Sequence, residues 1–124
     1  MMVNSFQIFG KNNESLAAIY LKRQGYRIIE QNYRTRMGEI DIIAKDNETI
    51  AFIEVKSRSS AAFGNPKYAI TLQKRRKISK LAQQYLKSTH QSHVRARFDV
   101  VAIFSNSGRD TIELIKNAFE LTGR

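Results

Sequence analysis

The chain contains no cysteine, which excludes a disulfide framework, a thiolate zinc site and a cysteine nucleophile. Histidine is nearly as scarce, with His90 and His93 both in the polar stretch STHQSHVR. Their i, i+3 spacing suits a metal on a helix, but the Ser, Thr and Gln around them read as a solvated connection. A histidine-paired zinc site is therefore not expected. A single proline, with no internal repeat and no low-complexity segment, points to one continuous unit with short connections. No apolar stretch approaches the length of a membrane span, and the opening residues MMVNSFQIFGKN lack the apolar core of a signal peptide. A soluble, cytoplasmic protein with no membrane association is the expectation. Acids are also in deficit: 11 Asp+Glu against 21 Lys+Arg leave a net charge of +10. Such a field favours polyanionic partners.

What is present fits one core. A chain of 124 residues, 42% hydrophobic, suits a single domain over 1–124. Residues 1–12 have weak periodicity and are expected to be mobile. Asn13 is suited to cap a first helix whose apolar positions Leu16, Ala17, Tyr20 and Leu21 share one face, and Gly25 ends it. Tyr26–Asn32 reads as a strand, and the basic stretch Tyr33–Met37 leads through Gly38 into a second strand, Glu39–Lys45. After the turn at Asp46-Asn47, Thr49–Lys56 makes a third strand, antiparallel to the second because so few residues join them. The polar loop Ser57–Asn65 follows, then a helical turn at Pro66 and a long amphipathic helix from Thr71 to about Ser88. Arg97–Phe104 is the most apolar run and reads as a central strand, turning at Asn106-Ser107-Gly108 into a last strand, Thr111–Lys116. The long helix between the third and fourth strands is a crossover, so those two are expected to be parallel. The fold class is α/β: a mixed sheet of about five strands flanked by helices.

The chemistry is concentrated on two of these strands. Residues i and i+2 of a strand share a face, which pairs Glu39 with Asp41 and Glu54 with Lys56. The rest of both strands is apolar, and half-buried carboxylates there are costly unless a cation compensates them. A hard divalent ion does so with one or two carboxylates, water and phosphate oxygens, a number that Asp41 and Glu54 supply. Lys56 would then position the nucleophile or neutralise charge on the attacked phosphate. An isolated E-V-K tripeptide is more often a surface ion pair. The combination differs: G-E-I-D on one strand, E-V-K on the next, and Glu14 on a preceding helix, all within a basic chain. Acids gathered where phosphate must bind repel it unless a metal lies between, which argues for catalysis over plain binding.

At these residues the chain resembles the YraN family of uncharacterised bacterial proteins. The resemblance is carried by Glu14, GEIDIIA at 38–44, FIEVKSR at 52–58, the basic helix around Lys74 and RFDVVAI at 97–103, and it covers nearly the whole chain. That family is similar to the PD-(D/E)xK nuclease superfamily, and within it most to the archaeal Holliday junction resolvases. The resemblance implies a restriction-endonuclease-like fold, with Asp41 and Glu54 as metal ligands, Lys56 as the catalytic lysine, and Glu14 as the helix acid completing a catalytic and metal site for Mg²⁺ or Mn²⁺. It also implies that the Val55 carbonyl reaches the metal. Ile40 stands where the superfamily's name would put proline.

Around that site, Arg34, Arg36 and Arg58 on adjoining loops and Lys74, Arg76 and Lys77 on the basic helix are candidate nucleic-acid contacts, with Lys74 ahead of Gln73 as the residue facing the site. Glu39 has the right parity for the site but suits a supporting or structural role. Asp99, inside the most apolar strand, reads as a buried acid paired with a lysine or arginine, with a smaller claim to the active site. Tyr20, Phe52, Tyr85, Phe98 and Phe104 read as core, and Phe63 beside Gly64 as the aromatic that touches nucleic acid. The leading expectation is a divalent-metal-dependent endonuclease cleaving phosphodiester bonds in DNA, ahead of RNA, including branched or processed DNA. The alternative is a catalytically silent nucleic-acid-binding module on a nuclease scaffold, acting with a partner. A basic adaptor for an acidic protein or membrane surface ranks below both because it leaves the acids unexplained. Monomer and homodimer are both left open.

The charge balance sets a first test. Affinity for random-sequence DNA should fall by on the order of 10³-fold between about 50 and 200 mM salt if some six phosphates are contacted. Fluorescence anisotropy across a salt series measures this, and a flat dependence counts against nucleic acid as the partner.

Overall fold

The computed structural model describes residues 13–58, 70–106 and 109–120. In chain order these form helix α1 (Asn13–Arg23), strands β1 (Arg27–Thr35), β2 (Gly38–Asp46) and β3 (Thr49–Arg58), helix α2 (Leu72–Ser88), and strands β4 (Ala96–Asn106) and β5 (Arg109–Phe119). The sheet order is β1-β2-β3-β4-β5. All neighbours are antiparallel except β3 and β4, which run parallel because α2 carries the chain back between them. This mixed five-stranded α/β architecture is consistent with a restriction-endonuclease-like fold.

Each helix covers its own set of sheet residues. Ala17, Ala18 and Leu21 of α1 pack with Ile42, Ala44, Ala51, Ile53, Val101 and Ile103. Ile78, Leu81, Ala82, Tyr85 and Leu86 of α2 pack with Ile43, Ile50, Phe52, Phe98 and Val100. The alternation of the strands therefore sorts their apolar residues between the two helices. The buried face of α2 is the one its periodicity predicts, with Arg76, Lys77, Lys80, Gln84 and Lys87 exposed opposite it. Thr71 caps α2, its hydroxyl accepting from the Lys74 N–H at 3.1 Å.

Most departures from the sequence expectation lie at element ends. Asn13 is the first helical residue, and its side-chain amide donates to Ser57 Oγ at 3.1 Å. Tyr33–Thr35, expected in a connection, extends β1 through pairing with Gly38–Ile40, leaving Arg36-Met37 as the turn. β5 reaches Phe119, past a register shift opposite Phe98–Val100, where Asn117 takes φ 54° and its N–H donates to Asp99 Oδ1 at 2.9 Å. β4 is an interior strand, second from the edge, with β3 at the centre. Residues 1–12, the loop from residue 59 onward with Phe63, the turn at Pro66, and Ser107-Gly108 lie outside the described residues.

Asp99 is fully buried and has the cationic partner expected of it. Arg97 Nε donates to Asp99 Oδ1 at 2.9 Å, while Arg97 Nη2 reaches Asp46 Oδ2 at 2.6 Å and the Tyr26 hydroxyl at 2.8 Å. The Tyr26 hydroxyl in turn donates to Asp99 Oδ2 at 2.8 Å. Burial and the Asp99 carboxylate hold the Tyr26 hydroxyl above its ordinary range. Burial disfavours the Arg97 charge, yet Asp99 and Asp46 outweigh it and hold the guanidinium protonated. The network joins the start of β1 to β2, β4 and β5, and Asp99 itself, fully buried, has both carboxylate oxygens engaged by Arg97, Tyr26 and the Asn117 N–H. Asp99 therefore belongs to the scaffold. Replacing the guanidinium by an apolar stem of similar length strands a buried carboxylate, so Arg97→Met should destabilise the domain by about 3–5 kcal/mol. Urea denaturation measures it, and a loss below about 1 kcal/mol would show that the network carries little.

Candidate active site

The site forms where β2 and β3 part. Their pairing runs from Asp46↔Thr49 to Ile42↔Ile53, and beyond it the Val55 N–H donates to Asp41 Oδ2 at 2.8 Å. A side-chain carboxylate thus takes the place of a backbone acceptor. The alternation of β2 also slips there: Ile40 and Ile43, three apart, both pack in the core cluster beneath α2, while Ile42 packs with α1. Asp41 consequently stands at the opening between the strands, half-buried and within reach of both helices.

Three acids converge at this opening. Carboxylate oxygens of Glu14, in the first turn of α1, and of Glu39 and Asp41 on β2 all lie within 4.8 Å of one another. The Asn13–Ser57 hydrogen bond ties the start of α1 to the end of β3 and so holds Glu14 over the strands. Glu54, on β3, is only 7% exposed and is not one of the three. Its Oε2 instead accepts from Lys74 Nζ at 2.8 Å, with Lys56 Nζ at 3.8 Å. Glu39, Asp41, Glu54, Gln73, Lys74 and Lys77 are among the residues lining a cleft of about 470 Å³ between the strands and the start of α2.

The electrostatics follow from this crowding. Burial, joined by the charges of Glu54, Glu14 and Glu39, pushes the Asp41 carboxyl from its ordinary 3.8 up to about 7, against the Val55 N–H, which favours the carboxylate. No ion pair among the described residues reaches Asp41. Lys74 shows the opposite effect: its bond to Glu54 outweighs its partial burial and raises it above the ordinary lysine value, with Asp41 and Glu39 adding to the field.

The remaining expected residues are placed as follows. Glu14, Asp41, Glu54 and Lys56 all come to the one region, with Glu54 paired to Lys74 and near Lys56 while its charge still acts on Asp41. Glu39, given a supporting role from sequence, joins Glu14 and Asp41; its i−2 spacing from Asp41 was the available signal. Lys74 faces the site as expected, and sequence reasoning missed that its partner is Glu54. Arg34 Nε, exposed, lies 3.4 Å from Oε1 of the half-buried Glu39. Arg36, Arg76 and Lys77 line an adjoining cleft. The Arg58 side chain lies outside what the structure describes.

Asp41 sets a pH-dependent test. A folded-state pKa raised above the unfolded value contributes stability below about pH 4 that is lost as pH rises through about 7. In metal-free buffer, Asp41→Asn, whose amide oxygen still accepts from Val55, should match the wild type near pH 4. It should exceed it by on the order of 2 kcal/mol above pH 7. Urea titrations across that range check this, and a pH-independent difference would contradict it.

Comparison with known proteins places this arrangement in a family. The sequence model of the Uncharacterised protein family UPF0102 matches residues 13–103, a span holding every acid and lysine of the site. The UPF0102 protein of Desulfosudis oleivorans is 51% identical over 120 residues, covering 96% of this chain and 95% of its own. That of Syntrophus aciditrophicus is 53% identical over 112 residues, covering 90% and 88%, and that of Geobacter metallireducens 49% identical over 112 residues, covering 90% and 92%.

Proposed function

The chain belongs to the UPF0102 family, the YraN family that its motifs resemble, and we propose that it is a nucleic-acid-binding, divalent-metal-dependent endonuclease cleaving phosphodiester bonds in DNA, branched or processed forms included. The observation that carries the reading is the convergence of Glu14, Glu39 and Asp41, with no ion pair to Asp41 among the described residues, beside the lysines around Glu54. Three mutually repelling carboxylates at a half-buried opening are costly as they stand, and hard carboxylate oxygens suit Mg²⁺ or Mn²⁺. The resemblance to the PD-(D/E)xK nucleases and to archaeal Holliday junction resolvases adds the D…ExK pair Asp41, Glu54 and Lys56.

Roles follow from position. Glu14, Glu39 and Asp41 would hold the cation, with Glu54 next to them once Lys74 is drawn toward phosphate. The bound cation would polarise the scissile phosphate and promote deprotonation of the attacking water. Lys56 is a cation beside Glu54, placed to neutralise charge that builds on the phosphoryl oxygens. Lys74 and Lys77, on the cleft wall, offset the acids for an approaching phosphate. The net charge of +10 draws nucleic acid to the surface, and the acids keep it from settling in the cleft until a metal is present.

Calorimetry with Mg²⁺ and Mn²⁺, alongside nicking of supercoiled and branched DNA, tests the reading. Wild type should bind a divalent ion and nick DNA. Asp41→Asn should lose both, and Glu14→Gln and Glu39→Gln should each bind metal on the order of tenfold more weakly. Lys56→Ala should keep the ion and lose cleavage, because a lysine ammonium is no ligand. A wild type that takes up no divalent ion even with DNA present overturns the nuclease reading in favour of a silent binding module.

A further inference from the structure

Beside the acid cleft lies a second one of different chemistry. It has a volume of about 510 Å³ and is lined, among the described residues, by Arg36, Met37, Gln73, Arg76, Lys77 and Lys80: four cations and no carboxylate. Gln73 and Lys77 line both clefts, so the two adjoin across a shared wall. The helical members recur at i, i+3, i+4 and i+7 along α2 and so form one face, and the β1–β2 turn supplies the opposite wall. That wall is held close. A Cβ on Gly38, which has φ +148°, would sit 3.3 Å from Leu81 Cδ1 and 3.4 Å from Lys77 Cδ, so only glycine lets the turn approach α2 this tightly.

The walls are more apolar than polar, unlike those of the acid cleft. Met37 is 43% exposed there, and Leu72, one helical turn before Arg76, is 56% exposed. The lysine and arginine stems add apolar surface while their charged heads reach the rim. Phosphates alone would need only the heads. A duplex turns its phosphates outward and keeps its base faces stacked inside, so it has nothing to lay on an apolar wall. An unpaired nucleotide has a base face free for that wall and a phosphate for the rim.

We infer that this cleft is a subsite for an unpaired segment of nucleic acid, roughly one or two nucleotides long as its volume allows, lying next to the phosphodiester presented to the acids. The inference rests on the nucleic-acid reading of the site and adds to it the strandedness of the substrate: a single-stranded segment, flap or frayed end is selected over continuous duplex. Met37 contacts the base face, and Arg36, Arg76, Lys77 and Lys80 hold the backbone.

The test is fluorescence anisotropy in EDTA, which removes divalent ions and with them any cleavage. The probes are a labelled oligothymidylate, the same strand paired with oligoadenylate, and the same backbone carrying abasic positions. The intact single strand should bind tighter than the duplex. Arg76→Glu combined with Lys80→Glu should weaken single-strand binding by at least about tenfold, well beyond the effect of Lys87→Glu farther along the helix. Met37→Ser should weaken the intact oligomer by about threefold and leave the abasic one unchanged, with Met37→Leu restoring the loss. All four substituted side chains are exposed, and melting curves confirm folding. Duplex bound as tightly as single strand, a Met37→Ser effect equal on both single-stranded probes, or no effect of the double reversal each overturns the inference alone. Absence of binding to all three probes, both in EDTA and with Mg²⁺ restored, overturns the nucleic-acid reading itself.

Discussion

β2 and β3 stay paired only as far as Ile42 and Ile53, and the Asp41 carboxylate occupies the next rung by accepting from the Val55 N–H. That hydrogen bond fixes one carboxylate oxygen against β3. Because the strands part there, the start of α1 can bring in Glu14 from one side of the sheet and the start of α2 can bring in Lys74 from the other. A continuous ladder would have closed this gap and kept the two helices' side chains apart.

The domain treats Asp99 and Asp41 in opposite ways. Asp99 is neutralised within the fold by Arg97, with Tyr26 and the Asn117 N–H completing its hydrogen bonds. Asp41 receives one N–H, and burial joined by three like-charged neighbours drives its carboxyl up to about 7. The first arrangement shows that this fold can supply an arginine to a buried acid, whereas Asp41 has no such partner among the described residues, the gap that the proposed cation would fill. The lysines near it are engaged with Glu54, close enough to shape the field and one residue away from cancelling it.

Much of this was legible in the sequence, for physical reasons that also explain the gaps. The heptad-like spacing of Ile78, Leu81, Ala82, Tyr85 and Leu86 specified the buried face of α2 because packing on a sheet demands one apolar stripe. The crossover length fixed β3 and β4 as parallel. Strand ends were missed where side chains took over from periodicity: Tyr33 continues β1 because its ring packs edge-on against Tyr85 at 5.3 Å, and β5 runs on past Asn117 because Phe119 stacks on Phe98 at 4.5 Å. At the site, a period of two correctly joined Glu39 to Asp41, but it could not show that the alternation slips beside them. The Lys74–Glu54 pair joins residues twenty apart on different elements, and only the closure of the fold brings them together.

The claim on which the rest depends is that Asp41 is a carboxylate held short of its counter-charge. Carbon-13 NMR of the Asp41 carboxyl carbon, titrated with and without Mg²⁺, measures this directly. Without metal the resonance should titrate near pH 7, and with saturating Mg²⁺ its midpoint should fall by about two units or more as the cation favours the ionised form. A midpoint near 4 in metal-free solution, or one that Mg²⁺ leaves in place, would contradict the account.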